Sequence, residues 1–89
     1  MKLRITKSAK DFLSELQPKT FRQVVMRILD LLSNPYPHDA KQLKGYDYFR
    51  VDIGEYRIIY SVADDEIHVL LVGKRNDDEI YRRLKRKEH

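Results

Sequence analysis

Residues 46–81, YDYFRVDIGEYRIIYSVADDEIHVLLVGKRNDDEIY, confine this chain to a narrow set of folds, because apolar and polar side chains alternate there between short turn-forming breaks. Side chains alternate across a strand, so Phe49, Val51 and Ile53 face one way and Arg50 and Asp52 the other. After Gly54-Glu55 the next run repeats the pattern. Tyr56, Ile58, Tyr60 and Val62 share one face, and Arg57, Ile59 and Ser61 the other. A two-residue hairpin loop with glycine first sets Ile53 opposite Tyr56, Asp52 opposite Arg57 and Arg50 opposite Ile59. The expectation is one apolar face and one face that carries two arginines. Ala63-Asp64-Asp65-Glu66 reads as an acidic turn into a third strand. In that strand Ile67 to Val72 is apolar on both faces apart from His68, as an interior strand would be. The strands are expected at about 48–53, 56–62 and 67–73.

The apolar strand face needs a cover, and the first part of the chain supplies one. Lys2–Thr6 alternates as a short strand would. Ser8, with Asp11 three residues on, resembles a helix N-cap, and Ala9, Phe12, Leu13 and Leu16 form the apolar stripe behind it. Pro18 breaks or restarts this helix. Phe21, Val24, Val25, Ile28, Leu29 and Leu32 then fall at steps of three and four and predict a second core-facing helix. Pro35 and Pro37 end it, because the residue before a proline is driven out of helical geometry. Residues 38–47 read as a connection. At the other end, Asn76 with Glu79 is a capping pattern. Asp77, Asp78 and Glu79 suit the positive pole of a last helix that runs into the basic residues Arg82, Arg83, Lys85, Arg86 and Lys87.

The fold class is therefore α+β: an N-terminal strand, a helical hairpin, a three-stranded antiparallel meander and a C-terminal helix, in the order β-α-α-β-β-β-α. With 89 residues there is room for one core, so residues 1–89 are expected to form one domain. The absence of cysteine excludes a disulfide framework and a thiolate metal site, and fits a reducing cytosol. No signal-peptide run opens the chain and no apolar run is long enough to span a membrane, so the expected location is cytoplasmic. A net charge of +4, concentrated at the C-terminus, favours a polyanionic partner; a solvated basic helix end accounts for the tail equally well.

Several of these segments together resemble the RelE/ParE superfamily of toxin–antitoxin toxins. The resemblance spans nearly the whole chain. It is carried by Leu43-Lys44-Gly45, Phe49-Arg50-Val51, Gly54-Glu55-Tyr56-Arg57-Ile58-Ile59-Tyr60, Val72-Gly73-Lys74-Arg75 and Tyr81. It implies a toxin held inactive by a cognate antitoxin, with operator DNA bound through the toxin–antitoxin complex. RelE-type members are endonucleases that cut messenger RNA on the ribosome; ParE-type members share the fold, act on DNA gyrase and lack the nuclease residues. No metal or other cofactor and no membrane is implied.

Cleavage of RNA by its own 2′-hydroxyl needs a proton acceptor, a stabiliser of charge on the crowded phosphate and a proton donor to the leaving oxygen. His38, His68 and His89 do not match positions used by the family. Arginine offers a permanently charged fork for phosphate oxygens. By resemblance, Arg57 matches the arginine on the phosphate, Arg75 the one near the leaving group, and Arg50 a position where RelE enzymes carry a basic residue. Tyr81 matches a terminal-helix tyrosine that stacks on the substrate base or joins proton transfer. Lys44, Lys74, Arg82, Arg83 and Lys85 complete the expected RNA-binding set.

One departure stands out. Several RelE-type nucleases carry a second basic residue two positions after the one matched by Arg50, and this chain has Asp52 there. Opposite Arg57, its carboxylate could orient the guanidinium or partly neutralise it. The proton acceptor then falls to Tyr81 or to a group of the ribosome. Three readings stay open at this point: the ribosomal nuclease, a non-enzymatic gyrase-binding toxin, and a decayed toxin that acts only with its antitoxin at operator DNA.

Overall fold

The computed structural model describes residues 1–76 and 78–87; Asp77, named above in the last helix's acidic start, and His89, among the histidines, lie outside the described residues. The element order is β1 (Lys2–Ile5), α1 (Lys7–Ser14), α2 (Pro18–Ser33), β2 (Lys41–Gln42), β3 (Phe49–Ile53), β4 (Tyr56–Ala63), β5 (Glu66–Lys74) and α3 (Glu79–Lys87). The strands form one sheet in the order β1-β5-β4-β3-β2. β1 runs parallel to β5 and the remaining neighbours are antiparallel. The expected α+β architecture is observed, with β2 as an added edge strand inside the stretch expected to be a connection.

Both hairpin turns follow from local chemistry. Gly54 takes a φ of 57°, which costs glycine nothing because it has no Cβ. The β3–β4 register is the expected one, with Ile53 opposite Tyr56, Asp52 opposite Arg57 and Arg50 opposite Ile59. At the β4–β5 turn Asp64 and Asp65 both have positive φ, at 52° and 59°, as a two-residue loop between right-twisted strands demands. A bulge between Ile59/Tyr60 and β5 leaves Leu70 as the extra residue. It lets Leu70 and Leu71 both reach the second core while Val69 and Val72 stay in the first.

The sheet is buried on both sides. On one side α1 and α2 place Ala9, Leu13, Val24, Ile28 and Leu31 against Val51, Ile58, Tyr60, Ile67, Val69 and Val72. On the other, Ile80 and Leu84 of α3, one turn apart, cover Leu43, Ile59, Leu70 and Leu71. The face expected to carry the arginines is thus half core, under α3, and half polar, where Arg50, Asp52 and Arg57 are partly buried. β5 lies between β1 and β4, which explains why its apolar run shows no alternation.

The helix boundaries need three corrections. Thr6, not Ser8, caps α1: its Oγ1 accepts from the Ala9 amide at 3.1 Å and donates to the Leu70 carbonyl at 2.6 Å. In α2, Leu31 is buried, whereas Phe21 and Leu29 are exposed, so the expected core stripe is rotated. α3 starts at Glu79 rather than directly after an Asn76 cap, with the Asp78 carbonyl accepting from Tyr81 and Arg82. Pro18 restarts the helix as the first residue of α2, where its missing N–H is harmless.

Candidate functional site

The site grows out of the β3–β4 hairpin. Because Asp52 and Arg57 are directly opposed, the carboxylate meets the side of the guanidinium as a fork on a fork. Nε lies 2.7 Å from Oδ1 and Nη2 lies 3.1 Å from Oδ2. Arg50, on the same face, brings Nη1 to 3.8 Å from Oδ2 of the same carboxylate. The third strand supplies the last arginine: β5 ends at Lys74, and the Arg75 amide donates to the Glu55 carbonyl at the hairpin loop. The positive charge of Arg75 is felt at Asp52.

α3 closes the arrangement. Burial of Ile80 and Leu84 fixes the helix on the sheet, and Tyr81 packs its ring against the same cluster. Its hydroxyl accepts a short hydrogen bond from Nη1 of Arg57, and the Arg57 Cζ lies 5.8 Å from the ring centroid. Arg57 is thereby held from two sides, with only 14% of its side chain exposed. The electrostatics follow. The hydrogen bond from Arg57 holds the Asp52 carboxyl below the usual carboxylate range; partial burial opposes this, and the charges of Arg57, Arg50 and Arg75 add to it. Arg57 is pushed above its ordinary value, chiefly by the hydrogen bond to Asp52 and then by Tyr81, against burial.

Of the residues expected from sequence, Arg50 and Arg57 meet at Asp52 and Tyr81 meets Arg57, while Arg75 is exposed just beyond β5, its amide tied to the hairpin loop. The other five are placed differently. Lys44 is exposed in the turn after β2. Lys74 is exposed opposite Tyr56, and therefore on the α1 side of the sheet rather than beside Arg57. Arg82 is exposed and lies 4.0 Å from Glu79, and Lys85 is exposed. Arg83 has a structural position: Nη2 donates to the Val72 carbonyl at 2.7 Å, and Cζ lies 5.7 Å from the Phe12 ring centroid. That carbonyl belongs to β5 beyond the end of β1, whose pairing stops at Val69. Gly73 leaves the room, since a Cβ there would stand 2.7 Å from Nη2 of Arg83. Sequence reasoning missed Lys41, which β2 places opposite Arg50 and on its face. Two residues of strand are too few for periodicity to reveal. The Tyr46 and Tyr48 rings stack at 5.6 Å beside the α3 cluster. Among the described residues no group of acidic and histidine side chains could hold a metal, and no helix is long and apolar enough to cross a membrane.

The family model for the ParE toxin of the type II toxin–antitoxin system parDE matches residues 3–79. The chain belongs to this family, within the RelE/ParE superfamily. Solved structures agree. The chain is 29% identical to the archaeal RelE of the RelE–RelB complex from Pyrococcus horikoshii OT3, with a TM-score of 0.74 over 83% of this chain and 93% of that one. For the Mycobacterium tuberculosis RelBE2 toxin–antitoxin complex the values are 28%, 0.73, 83% and 96%. A mutant of the E. coli toxin RelE in the free state shares 23% identity with a TM-score of 0.79, over 96% of this chain and 95% of that one, which speaks to the fold alone. No curated protein sequence is detectably similar to the chain. It is a toxin of a type II toxin–antitoxin system.

Proposed function

We propose that this toxin is a RelE-type endonuclease that cuts messenger RNA on the ribosome and so halts translation, without metal or cofactor. The observation that carries the reading is the gathering of Arg50, Arg57 and the Tyr81 hydroxyl on one sheet face, with Arg75 just beyond the end of β5. Arg57 and Arg75 stabilise charge on the phosphate and the leaving oxygen, Arg50 holds the RNA backbone, and Tyr81 stacks on a base or relays a proton. Exposed Lys44, Arg82 and Lys85, with Lys74 at the end of β5, add attraction for RNA, and Lys41 extends the basic face. Arg83, engaged with Val72, serves the RNA only by its charge. Antitoxin binding masks this face, and the complex is the form that meets operator DNA.

A second reading is favoured by two observations: the matching family model is that of ParE, and Asp52 already occupies one edge of Arg57. In it the same face binds DNA gyrase and cuts nothing. Controlled expression in bacteria separates the two. An early halt in leucine incorporation with codon-phased messenger-RNA 5′ ends supports the nuclease. Induction of the DNA-damage response while protein synthesis continues supports the gyrase toxin and overturns the nuclease. Absence of any growth effect leaves only a decayed toxin that acts with its antitoxin at operator DNA.

A further inference from the structure

We infer that Asp52 is an internal stand-in for phosphate: its carboxylate occupies the side edge of Arg57 and sets how tightly this face binds RNA. The inference rests on the reading of this face as an RNA site. The geometry is that of a guanidinium on a phosphate, with two parallel N–H···O bonds at 2.7 and 3.1 Å. Arginine has five N–H donors. Asp52 takes one on Nε and one on Nη2, and Tyr81 takes one on Nη1, which leaves a single N–H on Nη1 and another on Nη2.

An incoming phosphate therefore has two routes, and Asp52 opposes both. It can displace the carboxylate from the Nε edge, which leaves a half-buried carboxylate without its best partner. Or it can take the remaining donors and settle a few ångströms from a fixed negative charge. Arg57 and Arg50 both face that one carboxylate, Arg50 at 3.8 Å. Limited water around Arg57 keeps the repulsion from being screened as it would be on an open surface.

Asp52→Asn tests this cleanly, because the amide keeps the size and an oxygen that can accept from Arg57 while the charge is lost. The probe is a short fluorescein-labelled oligoribonucleotide with 2′-O-methyl sugars, which cannot be cut by 2′-hydroxyl attack. Its affinity is measured by anisotropy across a salt series. Asp52→Asn, and Asp52→Ser as a second variant, are expected to bind about tenfold tighter, with the slope of log K against log salt steeper by about 0.7 for one added phosphate contact. The gain should vanish when Arg57→Ala is added. Equal or weaker binding by both variants, with circular dichroism showing them folded, overturns the inference and makes Asp52 an orienting partner only. Cleavage of ribosome-bound message is scored separately. Tighter binding without cleavage upholds the inference and sinks the nuclease reading; cleavage by the wild type with unchanged affinity in the variants does the reverse.

Discussion

At the residue scale, the Asp52–Arg57 pair has consequences for stability as well as for binding. The folded-state value of Asp52 lies below that of an unfolded aspartate, about 3.9. The stability it contributes is therefore fully present above that pH and is lost as pH falls through the lower folded value. Asp52→Asn should cost about 1 kcal/mol near neutrality, the scale of a part-exposed, hydrogen-bonded ion pair, and thermal melts of the two proteins should converge in strong acid. A constant difference at all pH values would place the cost elsewhere. Tyr81→Phe keeps the packed ring and removes only the hydroxyl that meets Arg57. A fall in cleavage of tenfold or more with unchanged RNA affinity, resolved by single-turnover kinetics, is expected if the hydroxyl joins proton transfer. The opposition of Asp52 and Arg57 was legible in the sequence, because Gly54-Glu55 determines the hairpin register. The contact between Arg57 and Tyr81 was not, since it depends on where α3 docks and no local pattern encodes that.

At the element scale, α3 is the part that completes the site. Leu84 is 1% exposed and packs across the sheet with Ile80. Leu84→Ala should cost about 2–5 kcal/mol by the usual loss for a truncated core leucine, and should weaken the Tyr81–Arg57 contact with it. Chemical denaturation measures the first effect and cleavage rate the second. The turn at Asp64-Asp65 offers the opposite sign. Asp65→Gly relieves a positive φ of 59° and should raise stability by about 0.5–1 kcal/mol, visible as a higher denaturant midpoint. Elements with strong periodicity were readable in advance, as β3 and β4 show. α2 was readable as a helix but not in its rotation, because VVMRILDLL offers apolar side chains on several faces and only the sheet decides which are covered. The cap of α1 is hidden from the sequence for a similar reason: Thr6 is chosen by the β5 carbonyl of Leu70, far away in sequence.

At the scale of the whole molecule, one helical layer covers each side of the sheet, and Arg50 and Arg57 sit on the α3 side. The helices that bury the other face belong to stability, and the short α3 belongs to both stability and site. Family membership rests on the match over residues 3–79, and the solved toxin structures share the fold. The placement of Arg50 and Arg57 on one face could be anticipated from the hairpin motif, whereas that of Lys74 and Arg83 could not. Lys74 and Arg83 look alike in sequence to the site residues, yet strand alternation carries one to the α1 side and an uncovered β5 carbonyl engages the other.

The central claim is that the Arg57 cluster cuts message on the ribosome. Its most direct test uses purified, antitoxin-free toxin, programmed ribosomes and primer extension to map cut sites, with Arg57→Ala and Arg75→Ala as parallel proteins. Cuts in the decoding site with the wild type, reduced by at least a hundredfold in both variants, are the predicted result. Intact message and continuing translation with a folded wild-type protein would contradict it.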